Sequence, residues 1–445
     1  MKCLSRKKCA ALALAGVMAL LSAACSADNG TTASGGETSS AAGEASTTSS
    51  AVPAEKETIV FSFDRGVGDA VSELVENYNA SQDLVTVETI DLPQNTNQVH
   101  DDFATKLATG DDTVDLFAVD KTFIPEFSAA GWLQPLDEYF DEDYMSQFIS
   151  ATNMASYYNG QMTAIAWFTN ANMLFYRSDI LEDNGLEPPK TFEELEQMCK
   201  DLTGQGGTEY GITFQGAQYE GMVCCWLEYI WSNGGDVYDE NGNLTVGSQN
   251  VIDGTEFMVN LAKNYAPEGI TTYQETESEQ VFLEGKALFH RNSPYVWAKS
   301  NAEGSKVAGK VGYCQLPAGP DGDKGYTMQG GLSLSINVNS SDSKKTACVD
   351  FIRYLLSEEG QRIMGANYAF PPVLASSYAD SEVLEASPVF DGYDKYIEDS
   401  KERPAVLDYA KVTDAIQKNI HQALTGQTDV ETAISNLESE LEAIG

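Results

Sequence analysis

The chain has 445 residues, with 27 Lys and Arg against 67 Asp and Glu, which gives a formal net charge of −40. Such a charge repels phosphate backbones and anionic lipid surfaces, and this excludes sequence-independent binding of nucleic acid. Hydrophobic residues at 42% and aromatic residues at 10% exclude a wholly disordered chain, and the length favours two or three domains.

Residues 1–24 have the pattern of a secretory signal. A basic start precedes an uncharged apolar run over residues 9–21, which is shorter than the about 20 residues that span a membrane. Small residues then precede Cys25, an arrangement that resembles the lipobox of bacterial lipoproteins. The resemblance implies that Cys25 is acylated and anchors the protein at the extracellular face of the bacterial cell membrane. Secretion with an incidental Cys25 is the alternative.

A tether is predicted over residues 25–56. Between residues 26 and 56 there is no aromatic residue and no Leu, Ile or Met, so this segment cannot bury a core. We therefore expect the folded part to begin near Glu57, with membrane contact only through the lipid.

Cysteine and histidine usage argues against disulfides and zinc. The cysteines beyond Cys25 are odd in number and include no Cys-x-x-Cys pair, so we interpret them as small buried hydrophobic residues. They are Cys199, Cys224, Cys225, Cys314 and Cys348. No histidine lies at ligand spacing from a cysteine, and we predict neither a metal nor a cofactor.

The folded part opens with alternating strand and helix patterns. The strand patterns cover residues 58–63, 85–90 and 116–119, and the helical patterns cover 69–81 and 100–109. This order predicts an α/β fold with a parallel sheet, in which ligands bind outside the carboxyl ends of the strands. Arg65 and Asp120 stand at two of those ends.

A second unit follows, and its clearest local signal is a capping box. Thr191 and Glu194 have the spacing of an N-cap and its N3 partner before a helical pattern. The aromatic-rich segment 222–232 is predicted to be a helix, with Trp226 and Trp231 in its core.

No catalytic signature is complete, so we predict that the protein is not an enzyme. The phosphate loop G-x-x-x-x-G-K-[ST], the zinc motif H-E-x-x-H and the nucleophile motif G-x-S-x-G are absent from the sequence. The loop at residues 239–243 begins like a calcium loop, but Leu244 stands where that loop needs glycine, which favours a hairpin turn.

Aromatic and polar residues cluster in four segments: 166–172, 218–221, 291–295 and 329–331. An aromatic ring can stack on the apolar face of a sugar while charged and amide groups bracket its hydroxyls. Trp167 and Phe168 adjoin polar residues rather than a periodic apolar stripe, which favours ligand contact for both.

Many in-order segments of this chain resemble the extracellular solute-binding proteins of family 1, the group that includes the maltose/trehalose-binding lipoproteins of ABC importers. The resemblance runs from about Thr58 to the C-terminus. It rests on residues 108–112, 115–120, 130–136, 167–171, 174–177, 218–221, 232–235, 285–287, 291–292, 330–331 and 357–361.

The resemblance implies a two-lobed periplasmic-binding-protein-like fold with about three hinge crossovers, near residues 166, 326 and 372. The N-terminal lobe would comprise residues 57–166 plus 327–372, and the C-terminal lobe residues 167–326 plus 373–445. A monomer that delivers a carbohydrate to ABC transporter permease subunits is implied. The ligand-binding residues would be Arg65, Asp120, Trp167, Phe168, Asn170, Tyr219, Glu220, Arg291, Asn292, Gly330 and Gly331.

The ligand class has alternatives, because the chain departs from family sugar sites at several positions. Asn170 stands where Asp is frequent, and Ser293 and Leu332 stand where Trp is frequent. A polyamine or peptide receptor is the first alternative, and a surface glycosidase or lyase lipoprotein is the second.

Overall fold

A computed structural model describes residues 56–152 and 156–444 of the chain. The predicted signal, Cys25 and residues 26–55 of the predicted tether lie outside these residues. No helix within the two described ranges is both long and apolar enough to cross a membrane.

Strands and helices alternate along the described chain. The strands are β1 (Glu57–Asp64), β2 (Val85–Leu92), β3 (Leu116–Asp120), β4 (Tyr157–Tyr158), β5 (Gln161–Met162), β6 (Ile165–Ala171), β7 (Met173–Arg177), β8 (Tyr210–Thr213), β9 (Ala287–Asn292), β10 (Val311–Cys314) and β11 (Gln329–Ile336).

The helices range from single turns to 16 residues. They are α1 (Gly68–Ser81), α2 (Thr96–Ala108), α3 (Ile124–Ala129), α4 (Glu142–Met145), α5 (Ser178–Asp183), α6 (Phe192–Leu202), α7 (Glu220–Ser232), α8 (Gln249–Asn264), α9 (Glu275–Leu283), α10 (Val296–Asn301), α11 (Asp342–Leu355), α12 (Glu358–Arg362), α13 (Ser381–Ala386), α14 (Tyr393–Glu398), α15 (Tyr409–Leu424) and α16 (Val430–Ile444).

The first sheet has five strands in the order β2-β1-β3-β11-β6. Strands β2, β1 and β3 are parallel, as the sequence predicts, and β11 and β6 are antiparallel to their neighbours. Because Phe61 pairs with Leu116, strands β1 and β3 end at the same edge, where Asp64 and Asp120 stand. This edge is where an α/β sheet is expected to bind its ligand.

The second sheet has four strands in the order β10-β7-β9-β8, with β8 parallel to β9. Helix α7 packs beside this sheet, and Trp226 and Trp231 are buried there as predicted. Their indole N–H groups donate to Thr255 and Asp236, each over 2.8 Å. Each of the two buried N–H groups therefore has a hydrogen-bond acceptor.

The chain passes between the two sheets at Asn172. Strand β6 pairs with β11 as far as Ala171, and β7 begins in the second sheet at Met173. The boundary expected between residues 166 and 167 therefore falls inside a strand of the first sheet. A later passage precedes β11, which begins at Gln329, and Val373 still belongs to the core of the first sheet.

Three local sequence interpretations are confirmed. The Thr191 side chain accepts from the Glu194 N–H, and the Glu194 carboxylate reaches back to Thr191, so α6 begins with a capping box. The acidic loop is a turn in which Asp239 accepts from the N–H groups of Asn241 and Asn243. The five cysteines of the described chain are free thiols, buried except for half-buried Cys314.

Candidate functional site

A cleft lies between the two sheets. Its empty space is about 1080 Å³, counting the part that opens to solvent. The first sheet contributes Asp64 and Asp120, and the second contributes Arg291 of β9 together with Glu220 at the start of α7.

Most of the residues predicted from the sequence line this cleft, although they come from separate elements of both sheets. They are Asp120, Phe168, Asn170, Tyr219, Glu220, Arg291, Asn292, Gly330 and Gly331. Their contact with a ligand remains a prediction.

Arg65 does not line the cleft, which corrects the expectation for this residue. Its side chain is 67% exposed and forms an ion pair with Asp91 of β2, with 2.8 Å between Nε and Oδ2. The reason is local, because β1 ends at Asp64 and the chain turns at Arg65. The preceding residue, Asp64, is the one whose side chain lines the cleft.

Trp167 is also outside the cleft lining, so its expected role as a stacking surface is wrong. Its side chain is 0% exposed, and its ring packs 5.9 Å from Phe61 and 5.4 Å from Phe168. The pairing of β6 with β11 skips Trp167, which makes it the extra residue of a β-bulge. Its carbonyl accepts from the Gln361 side chain over 3.0 Å instead.

Arg403 joins the two walls of the cleft. Its Nη2 donates to both carboxylate oxygens of Asp120 over 2.7 and 2.8 Å, and its Nη1 donates to Glu220 over 2.7 Å. Tyr409 and Thr413 donate from their hydroxyls to the same Glu220. A buried guanidinium therefore links the end of β3 to the start of α7.

The ion pair changes the titration of both partners. Burial alone would raise the pKa of Asp120, but the charge and hydrogen bonds of Arg403 outweigh it and hold that pKa below its ordinary value. Burial alone would lower the pKa of Arg403, and the charges of Asp120 and Glu220 instead keep it well above its ordinary value. Both groups are therefore charged at neutral pH.

Glu228 of α7 connects the cleft wall to the crossovers. Its Oε2 accepts from Nε of Arg291 over 2.5 Å. Its Oε1 accepts from the Asn172 side chain over 2.9 Å and from the Met328 N–H over 3.0 Å. Asn172 and Met328 stand where the chain passes between the sheets, and both line the cleft together with Arg291. One carboxylate therefore holds two passages and three cleft residues.

Besides Nε of Arg403, three polar atoms of cleft-lining residues are buried and have no hydrogen-bond partner in the described chain. They are Oδ1 of Asn170, the hydroxyl of Tyr219 and Nη2 of Arg291. One accepts, one donates, and the hydroxyl does either. Such a set matches a ligand that is rich in hydroxyl groups.

The diglycine permits a close approach of strands β11 and β6. Gly331 has φ +103°, and a Cβ there would lie 2.2 Å from the carbonyl oxygen of Phe168. A larger residue would therefore strain the backbone and push β6 away. Glycine is not required at position 330, because a Cβ added there would lie 3.4 Å from the nearest atom.

Other cleft residues escaped the sequence analysis. They include Asp64, Gln215, Glu275, Phe370 and Arg403. Asp64 has the clearest signal, because it directly follows the strand predicted over residues 58–63. Phe370 lies in a segment without a distinctive pattern, and Gln215, Glu275 and Arg403 are three polar or charged residues among many.

Residues 65–362, more than half of the chain, match the family described as bacterial extracellular solute-binding proteins. The chain belongs to this family. A curated member from Deinococcus radiodurans, named a probable ABC transporter-binding protein, is 35% identical over 296 residues. The match covers 64% of this chain and 69% of that relative.

Two solved solute-binding proteins are similar to this one throughout the fold. Maltose-bound MalE3 of T. maritima is 35% identical with a TM-score of 0.83, over 87% of this chain and 100% of that chain. A solute-binding protein of Agrobacterium radiobacter K84 in complex with ribitol is 20% identical with a TM-score of 0.80, over 87% and 99%. These neighbours are two-lobed, which confirms the predicted fold class.

Solute-binding proteins of this family serve ABC transporters and are not enzymes. This agrees with the incomplete catalytic motifs of the sequence. In the solute-binding fold, the cleft between the sheets is the place where residues from both lobes can contact one ligand.

Proposed function

We propose that this solute-binding protein captures a sugar or oligosaccharide in the cleft and delivers it to the permease of an ABC importer. The observation that carries the proposal is the set of unpartnered polar atoms on Asn170, Tyr219 and Arg291, which line the same cleft as the ring of Phe168. A sugar has both hydroxyl groups and an apolar ring face. The cleft lining offers polar atoms to the hydroxyl groups and an aromatic ring to the apolar face. The 35% identical relative that binds maltose supports the same ligand class.

The proposed ligand contacts come from both lobes. Phe168 and Asn170 belong to β6, whereas Tyr219, Arg291 and Asn292 belong to the second sheet and its helices. Gly330 and Gly331 supply backbone, and Asp120 and Glu220 act while bound to Arg403. A ligand held by both lobes favours the closed form, because it binds that form more tightly than the open one.

A panel of sugars tests this function. Maltose, trehalose, maltotriose, cellobiose and their amino derivatives should include at least one that raises the melting temperature, because a ligand that binds only the folded state stabilises it. At a hundred-fold excess over the dissociation constant, the gain is about 2.7 kcal/mol. Stabilisation by spermidine or a peptide and by no sugar would contradict the proposal, as would hydrolysis of the sugar.

We further propose that the mature protein is a monomer, tethered by acylated Cys25 at the extracellular face of the cell membrane. The support is the signal pattern of residues 1–24, which ends at Cys25, and the flexible composition of residues 26–56. A tether lets the folded part meet the permease without leaving the membrane surface.

The Cys25→Ser variant should appear in the medium or remain as the uncleaved precursor, because serine provides no thiol for the lipid. Fractionation of cells that express the full chain measures this. Cys9→Ser, a change within the same N-terminal segment, should stay with the membrane as wild type does. Retention of a correctly cleaved Cys25→Ser protein would contradict the anchor.

A further inference from the structure

The cleft lining carries more negative than positive charge. It includes the carboxylates of Asp64, Asp120, Glu220 and Glu275 and the guanidiniums of Arg291 and Arg403. Four of these groups, Asp120, Glu220, Arg291 and Arg403, are engaged in ion pairs. Asp64 and Glu275 form no ion pair with a cation of the described chain.

These two carboxylates belong to opposite walls. Asp64 ends β1 of the first sheet, and one of its oxygens accepts from the Gly66 N–H over 2.7 Å. Glu275 begins α9, which packs against β9 of the second sheet. Both residues line the same cleft.

The surroundings of Asp64 and Glu275 destabilise the ionised form of each carboxylate. Burial raises the pKa of Asp64 to about 6, and the charge of Asp120 adds to the increase. Burial also raises the pKa of Glu275; its own backbone N–H, the neighbouring Tyr219 hydroxyl and the charge of Arg291 offset this only in part, and the charge of Asp64 increases it further. A positive charge between the two walls would relieve both.

A third group points to the same place. The Tyr219 side chain is 3% exposed, and its hydroxyl lies beside the carboxylate of Glu275 without a well-aligned hydrogen bond to any group of the described chain. A Cβ at Gly221 would lie 2.2 Å from this hydroxyl and 2.9 Å from Oε1 of Glu275, so the two groups flank one point of the wall. Glycine at this position leaves both of them unobstructed.

We infer that the cleft takes a carbohydrate that carries a protonated amino group, held between the carboxylates of Asp64 and Glu275. The inference rests on the proposed function and names its ligand more closely. An ammonium has three donors and no acceptor, so it suits two carboxylates and a phenol oxygen. Hydrogen bonds between charged partners are about twice as strong as neutral ones. A neutral sugar can donate hydroxyls here, but it leaves both charges uncompensated.

Matched pairs of sugars test the inference by calorimetry on the full-length protein. The pairs are trehalose with 2-amino-2-deoxytrehalose, and cellobiose with unacetylated chitobiose; diacetylchitobiose shows the effect of removing the charge while keeping the nitrogen. The amino member of the pair that binds should bind at least about ten-fold more tightly than its neutral partner. Its advantage should shrink at high ionic strength.

Variants then assign the effect to the two carboxylates. Asp64→Asn and Glu275→Gln should each reduce the preference for the amino sugar about ten-fold and change the affinity for the neutral partner little. Glu88→Gln removes one exposed charge from β2, outside the cleft, and should preserve the preference. Melting curves show that each variant is folded.

The outcomes separate the inference from the proposed function. Equal or tighter binding of the neutral sugar overturns the inference and leaves the carbohydrate receptor standing. A preference for the amino sugar that survives both variants also overturns it. Binding of spermidine alone, without any sugar, overturns the proposed function itself.

Discussion

Replacing Arg403 with methionine is expected to lower the free energy of unfolding by about 3–5 kcal/mol, because it leaves two buried carboxylates without their cation. The Arg403 side chain is 3% exposed, and its partners Asp120 and Glu220 are 14% and 4% exposed. Methionine keeps most of the side-chain volume, so the loss reports the charge rather than a cavity. Urea denaturation at neutral pH measures it.

The loss should depend on pH. In the wild type, the lowered pKa of Asp120 means that this residue stabilises the fold above its ordinary pKa and that the contribution disappears as the pH falls through the folded-state value. In the variant, burial is the dominant influence on Asp120 and raises its pKa. The difference between the two proteins should therefore be full at pH 7 and shrink below about pH 5, as the carboxylates protonate.

Arg65→Met is the matched control, because it breaks an exposed pair with Asp91. Its cost should stay within about 1 kcal/mol. A loss of that small size in Arg403→Met, or a loss that does not vary between pH 7 and pH 4, would mean that Arg403 does not hold the two walls together.

Trp167→Ala is expected to lower the free energy of unfolding by about 3–5 kcal/mol through a cavity in the first sheet's core. The affinity of the folded fraction for the sugar identified in the panel should change less than about three-fold, since Trp167 does not line the cleft. The sequence alone gives the opposite expectation, a ten-fold weaker affinity with unchanged stability. Urea denaturation and calorimetry on the same preparation decide between them.

Trp132→Ala provides the comparison for the loss of an indole. Trp132 is half-buried and lies away from the cleft lining, so its loss should cost less stability than that of Trp167. Unchanged stability together with a ten-fold loss of affinity in Trp167→Ala would restore the stacking interpretation.

The order of elements and part of the site could be predicted because they depend on local patterns. The alternation of strand and helix patterns is sufficient to predict that β2, β1 and β3 are parallel. The same patterns place Asp120 at the end of a strand. The capping box at Thr191 is likewise complete within four residues. The positions of Asp120 and Thr191 follow from the residues next to them in the sequence.

The remainder depends on contacts between distant parts of the chain. Arg403 meets Asp120, 283 positions earlier, and nothing in the residues around either one specifies the other. Trp167 looks like a loop aromatic in the sequence, but the bulge against β11 turns it into the core. The crossover at Asn172 is likewise set by strand pairing, which a single sequence does not display.

Glu228 has a consequence for how the receptor releases its cargo. The same carboxylate holds Arg291 in the wall and the backbone of Met328 at a passage between the sheets. Under the proposed function, recognition and opening share the carboxylate of Glu228, so we expect a mutation at Arg291 to alter the rate at which the lobes part as well as the specificity. Dissociation rates, measured beside affinities, would reveal this trade-off in any attempt to turn the protein into a biosensor.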